Sequence, residues 1–250
     1  MLGFGWRKEE LRRRFYSPTF RGMYERFLEA IQEHLRPDVE VLDAGCGSGR
    51  VFQHRLAGQV RRVVGVDVTQ DVRGNPNLDT AVRGDLSVLP LRDASFDLVI
   101  LSQVVEHLTE PSASFRELAR VLRPGGRLLL LTPNRWHYVA LGARLLPQRL
   151  HVAFNRWRGV DERDVFPTVY RANTAGRLRV LLEGAGLEVE RLERFETEPE
   201  YLAFHPLAYA LGVAYERLVN RFEALAGLRV NLLAVARKRL DKTNGRGASA

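Results

Sequence analysis

The run Val41-Leu42-Asp43-Ala44-Gly45-Cys46-Gly47-Ser48-Gly49-Arg50 holds the densest group of residues that could do chemistry. Glycines at alternate positions let a chain turn tightly, and they bring backbone N–H groups close to a ligand at a helix start. Asp43, two residues before Gly45, can meet a cationic group. Asp67 closes the next β-branched run, eighteen residues after Gly49. An acid at that place accepts hydrogen bonds from two ribose hydroxyls. Asp85 follows a third run, in Gly84-Asp85-Leu86. Each feature has a plain alternative: an ordinary glycine turn, a cap on the next element, a surface turn. In order after successive strands, the three read together as one nucleoside-type site. A dinucleotide fingerprint asks for glycine where Arg50 stands, which disfavours a nicotinamide cofactor.

His107, in Glu106-His107-Leu108, is the candidate general base, because an imidazole can take a proton from a hydroxyl acceptor. A role on the cofactor side, or in packing or capping its turn, is favoured over proton transfer. His137 and His151 are weaker candidates of the same kind. No His, Cys, Asp and Glu cluster has metal-ligand spacing, so no metal is expected. Cys46 sits where small residues make room, and it is not read as a nucleophile.

The elements that would position these residues alternate. A helix is expected over Phe20–Leu35, ended by Pro37, and a strand over Val39–Leu42 runs into the glycine loop. Val51–Ala57 reads as a helix, Arg62–Val66 as a second strand, the stretch near Asp79–Val82 as a weak third and Phe96–Leu101 as a fourth. Ser112–Leu122 is a helix stopped by Pro124-Gly125-Gly126, and Arg127–Thr132 is a fifth strand. After a break of about forty residues come a helix over Thr174–Ala185, capped by Asn173 or Thr174, and strands Leu187–Phe195 and Asn231–Lys238. Continuous apolar strands alternating with helices imply a mostly parallel sheet covered on both faces. The last two strands read as an antiparallel edge hairpin with a helical insertion.

The stretch Val41–Asn134 resembles the class I S-adenosylmethionine-dependent methyltransferases, in particular the small-molecule branch that includes ubiquinone- and menaquinone-biosynthesis enzymes. The resemblance is carried by VLDAGCGSG, VVGVD, GDLSVLPLRDASFDLVI, VVEHL and LRPGGRLLLLTPN, which cover somewhat under half the chain. It implies a Rossmann-like α/β fold with seven strands, the last antiparallel, and S-adenosylmethionine as cofactor. It further implies that Gly45, Cys46, Gly47 and Gly49 wrap the methionine part, with Asp43 near its amino group. Asp67 would hold the ribose, Val68 would flank the adenine, and Asp85 and Leu86 would face the adenine edge. Ser102 and Gln103 would line the pocket under the sulfonium.

The organisation expected is one domain over residues 1–240, with a helical cap at 1–37, a basic insertion at 135–172, an apolar insertion at 199–229 and a disordered tail at 241–250. The net charge of +8 is concentrated in residues 135–180, which carry nine arginines against three acids. Arg135, Arg144, Arg149, Arg156, Arg158 and Arg163 are interleaved there with Trp136, Tyr138, Phe154 and Trp157. Such a segment suits a small-molecule acceptor that is anionic, sugar-like or lipid-linked, or it is a solvated face. Nucleic acid is disfavoured, since the charge is local and Ser102-Gln103-Val104-Val105 stands where many amino-group methylases carry Asn-Pro-Pro-Tyr.

Tyr201–Tyr215 is apolar and could be a lid, a dimer interface, a surface resting on a membrane or a helix packed on the core. Pro206 and Gly212 argue against one straight helix. Tyr16, Arg21 and Tyr24 could close over the cofactor. One cysteine and no run of ~20 apolar residues fit a cytoplasmic protein. The rival reading from another class is a non-catalytic module that binds S-adenosylmethionine or S-adenosylhomocysteine.

Overall fold

The β-branched runs close into one sheet in the computed structural model, which describes residues 4–49, 56–145 and 167–240. Its strands are β1 (Glu40–Ala44), β2 (Arg62–Asp67), β3 (Thr80–Arg83), β4 (Phe96–Ser102), β5 (Leu122–Pro133), β6 (Leu187–Phe195) and β7 (Asn231–Lys238). Their order is β3-β2-β1-β4-β5-β7-β6. The five strands from β3 to β5 pair in parallel, and β7 runs antiparallel to both β5 and β6. The seven-stranded, mostly parallel α/β sheet with an antiparallel last strand is therefore as expected, with β7 slotted inside and β6 at the edge.

Apolar residues run continuously along the strands because both faces are covered. Leu42, Val99, Leu101, Leu128 and Leu130 pack on one face with Phe115 and Leu118 of α3 (Pro111–Val121) and Leu178 and Leu182 of α5 (Ala175–Gly184). Their neighbours in sequence, Val41, Leu98, Ile100, Leu129 and Leu131, pack on the other face with Phe27 and Ile31 of α2 (Met23–Gln32). Each of these large side chains, fully withdrawn from water, contributes about 2 kcal/mol to stability. A third cluster joins Leu11 of α1 (Phe4–Phe15) to Tyr209 and Val213 of α6 (Pro206–Arg221). A short helix, α4 (Tyr138–Leu145), follows β5.

Several expectations shift. The first predicted helix is shorter, and the polar turn Glu33–Arg36 rather than Pro37 alone separates it from β1. β5 starts at Leu122, directly after α3, because Leu122 pairs with Phe96 across an irregular register before the glycines. Thr174 is the cap of α5, its side chain accepting from Arg177 N, while Asn173 turns inward. Pro206 begins α6 rather than interrupting it, since proline's missing N–H costs nothing at a first turn. Gly212 lies inside that helix, where a Cβ would come within 2.5 Å of Pro199. It serves close packing and not a break. The expected helix at Val51–Ala57 falls largely outside the described residues, and Ala57 instead bridges Val60. Arg50, His151, the arginines at 149–163 and the tail at 241–250 also lie outside them.

Candidate functional site

The chain leaves β1 for β2 and β3 on one side and returns to β4 and β5 on the other, so the strand order reverses between the parallel neighbours β1 and β4. In open α/β sheets a crevice forms outside the carboxyl ends of the strands at this point. A cavity of about 410 Å³ lies there, walled by Asp43 from β1, Asp67 from β2 and Ser102 from β4. Every residue singled out from the sequence as cofactor-binding lines it: Asp43, Gly45, Cys46, Gly47, Gly49, Asp67, Val68, Asp85, Leu86, Ser102 and Gln103. His107 lines it as well.

The glycine loop is shaped by close approach. Gly45 has φ +77°, and a Cβ there would lie 2.5 Å from a methyl of Val104. Gly47 has φ +50°, and its Cβ would enter open space at the cavity wall. Cys46 packs against the backbone of Gly65, where a Cβ would meet its Sγ at 2.6 Å. Burial, reinforced by Asp43 and Asp67, pushes the Cys46 thiol well up, so it stays protonated.

Asp67 ties the loop to its strand. Its Oδ2 accepts from Gly47 N at 2.9 Å, and its Oδ1 accepts from Thr69 N and Oγ1 at 2.8 Å. Asp43 lies beside it, and burial together with the Asp67 charge pushes its carboxyl up to about 7. Asp85 is held below the ordinary carboxylate range by the backbone N–H and hydroxyl of Ser87, both 2.7 Å from Oδ1. With Glu110 the lining holds four carboxylates and, among the described residues, no Lys or Arg. Such a wall favours a cation and opposes a pyrophosphate. Ser102 Oγ is buried without a hydrogen-bond partner, and Val68 is 51% exposed. A polar ligand group can satisfy the first, and a flat apolar ring can cover the second. The acids, the open Gly47 wall, the orphan hydroxyl and the exposed valine together fit a cationic nucleoside such as S-adenosylmethionine.

β4 ends abruptly at Gln103, which adopts φ +57°. That left-handed turn costs about 1 kcal/mol, and the next residues, Val104 and His107, line the cavity. Nε2 of Gln103 reaches Met23 Sδ at 3.2 Å, so the cap meets the cavity wall through α2. Tyr16, Arg21 and Tyr24 do not line the cavity. Tyr16 packs on Phe20 and Tyr209, Arg21 pairs with Glu29, and Tyr24 packs on the core beneath α2.

His107 Nδ1 lies 3.0 Å from the Pro167 carbonyl. A carbonyl only accepts, so Nδ1 carries the hydrogen and Nε2 is the basic nitrogen. Glu106 is buried and accepts from Thr132 Oγ1 at 2.9 Å, and its backbone carbonyl receives Val169 N and Tyr170 N. Both residues thus fasten the returning chain, Glu106 through its carbonyl and His107 through Nδ1, and His107 also lines the cavity. His137 is buried away from the cavity with Nε2 3.2 Å from Glu196 Oε2, a packing role.

Sequence reasoning missed Asn75 and Asn77. Asn75 Nδ2 donates to the carbonyls of Cys46 and Gly47, both at 3.3 Å, and Asn77 Nδ2 donates to Gly49 O at 3.4 Å. These amides turn the loop carbonyls away from the ligand side. The available signal is the turn-forming Asn75-Pro76-Asn77 between β2 and β3. Thr109, Glu110 and Ser114 also line the cavity and left no mark in the sequence reading.

A family model described as a methyltransferase domain matches residues 42–130. A protein of Mycolicibacterium smegmatis assigned as an S-adenosylmethionine-dependent methyltransferase is 38% identical over 156 residues, 60% of this chain and 52% of the relative. A protein of Encephalitozoon cuniculi assigned as a methyltransferase is 36% identical over 167 residues, 62% of this chain and 69% of the relative. The chain thus spans about half the length of the first of these relatives. Among solved structures, an S-adenosylmethionine-dependent methyltransferase from Methanosarcina mazei superposes with a TM-score of 0.57 at 19% identity, over 85% of this chain and 98% of that one. That likeness concerns the fold.

Proposed function

This chain belongs to the S-adenosylmethionine-dependent methyltransferases, and on that premise we propose that it transfers a methyl group from S-adenosylmethionine to oxygen on a small-molecule acceptor. The observation that carries the reading is the acidic cavity at the strand-order reversal, matched to a cation and lined by the glycine loop. When bound, the cofactor supplies a methyl already activated on a sulfonium.

The chain's own residues then bind and orient. Asp43 would face the cofactor's ammonium and Asp67 its ribose hydroxyls. Gly45, Cys46, Gly47 and Gly49 would follow the methionine backbone, Val68 would cover the adenine face, and Asp85 and Leu86 would meet its edge. Ser102 and Gln103 would lie under the sulfonium. Orientation of this kind supplies on the order of 7–11 kcal/mol at best. His107 Nε2 takes the proton of a hydroxyl acceptor. The acceptor class that suits the arginines of 135–172 carries an anionic group, in a sugar-like or lipid-linked molecule. The reading places one domain over residues 1–240, with 1–37, 135–172 and 199–229 built round the acceptor, in the reducing cytoplasm.

Calorimetric titration of the purified chain tests the cofactor. S-adenosylhomocysteine is expected to bind saturably and NAD not at all; the reverse would overturn the reading. His107 has a separate test once an acceptor is found. His107→Asn should lower kcat by about a hundredfold or more while leaving S-adenosylhomocysteine affinity unchanged. A variant that keeps the wild-type kcat removes His107 from proton transfer and leaves it a role in packing.

A further inference from the structure

α6 buries Tyr209, Val213 and Val219, and its opposite face is exposed among the described residues. Leu207, Leu211, Ala214 and Leu218 follow at spacings of four, three and four residues, which sets them in one stripe. Leu207, Leu211 and Leu218 are 64%, 65% and 50% exposed, and Phe222 extends the stripe beyond the helix end. None of these residues lines the cavity or serves the core.

The place of the stripe in the fold follows from topology. Residues 196–230 join the carboxyl end of β6 to the start of antiparallel β7, so α6 lies at the cavity's end of the sheet. α1 packs beside it, with Arg217 Nη2 donating to Phe15 O at 3.2 Å. Arg217 and Arg221 on α6 and Arg13 and Arg14 on α1 are exposed around this layer. Glu9 pairs with Arg13, Glu223 with Arg194 and Arg229, and Glu216 with Tyr16 and Asn220, while Glu10 of α1 is an exposed acid, so the cations beside the stripe are chiefly Arg217 and Arg221.

We propose that the α1–α6 layer docks on an anionic lipid bilayer, with α6 lying in its plane. The leucines and Phe222 enter the acyl boundary, while Arg217 and Arg221 meet headgroup phosphates. Among the described residues no helix is long and apolar enough to cross a membrane, so the contact is in-plane. A second copy fits less well. Pairing through this face would bring one copy's Arg217 and Arg221 against those of the other. Docking turns the cavity's end of the sheet toward lipid and brings a lipid-linked acceptor within reach. The binding itself is independent of methyl transfer.

Co-sedimentation of the full chain with phosphatidylcholine vesicles, with and without phosphatidylglycerol, tests this. Binding should appear with phosphatidylglycerol, fall with added salt, and drop about tenfold or more in a Leu207→Glu/Leu211→Glu variant. That variant should keep its S-adenosylhomocysteine affinity and its Tm. Arg217→Gln/Arg221→Gln leaves the apolar stripe intact and should lose the preference for phosphatidylglycerol, which keeps the test decisive if the first variant fails to fold. Absence of wild-type binding to phosphatidylglycerol vesicles overturns the proposal. So does a dimer in light scattering that the leucine variant converts to monomer.

Discussion

Asp67→Ala is expected to weaken S-adenosylhomocysteine binding by about a hundredfold. The carboxylate would offer two charge-assisted hydrogen bonds to ribose hydroxyls, each contributing about 1.5 kcal/mol or more, and about 1.4 kcal/mol is a factor of ten. The same side chain anchors Gly47 N and Thr69 in the folded protein, so the variant also loosens the loop. Stability should change little, because removing Asp67 also relieves its repulsion of Asp43. Calorimetry on Asp67→Ala beside Asp71→Ala, an exposed acid on the next turn, separates the site effect from loss of charge. A change below about fivefold in Asp67→Ala would confine this residue to holding the loop.

Asp43→Asn should lose cofactor affinity while gaining stability, and both effects should depend on pH. Asp43 titrates near 7 in the folded chain against an ordinary value of 3.8. Below about pH 4 the carboxyl is protonated folded or unfolded, and its neutral form fits the cavity without penalty. Between about 4 and 7 the unfolded chain ionises first, so stability falls with rising pH and levels off above 7. The full displacement corresponds to about 4 kcal/mol, and a wall open to cavity water will show about half of that. Asp43→Asn escapes the penalty, and its Tm should exceed the wild type by about 4–8 °C at pH 8 and by far less at pH 4.5. A cationic ligand needs the ionised form. Wild-type affinity should therefore rise as pH approaches 7, with proton release seen as a buffer-dependent enthalpy, and Asp43→Asn should show neither. Equal Tm gains at both pH values would mean that Asp43 titrates like an exposed acid.

Much of the site was legible because local chemistry requires it. Gly45 must be glycine where the chain turns left-handed against Val104, and an acid must end β2 where two hydroxyls would arrive. Asn75 and Asn77 were not legible, because they act on the loop across 28 or 29 positions of sequence through amides that look like any turn asparagine. Thr109, Glu110 and Ser114 join the cavity because α3 packs beside the loop after β4, a fact of packing and not of local pattern. The pairing of His137 with Glu196, 59 positions apart, is of the same kind.

The sequence by itself determined the order of strands, the mostly parallel sheet with its reversed last strand, and the glycine loop and strand-end acids that line the cavity. Hydrophobic runs, glycine turns and strand-end acids are local features, and each constrains its own backbone. Tertiary structure alone decided which acids share a cavity and repel, so that Asp43 is pushed up while Asp85, tied to Ser87, is pulled down. It alone decided that Pro206 starts a helix, that Glu106 turns inward while His107 faces the cavity, and that one face of the apolar insertion is left to solvent. Burial and charge proximity are properties of distance in space, and spacing along the chain does not encode them.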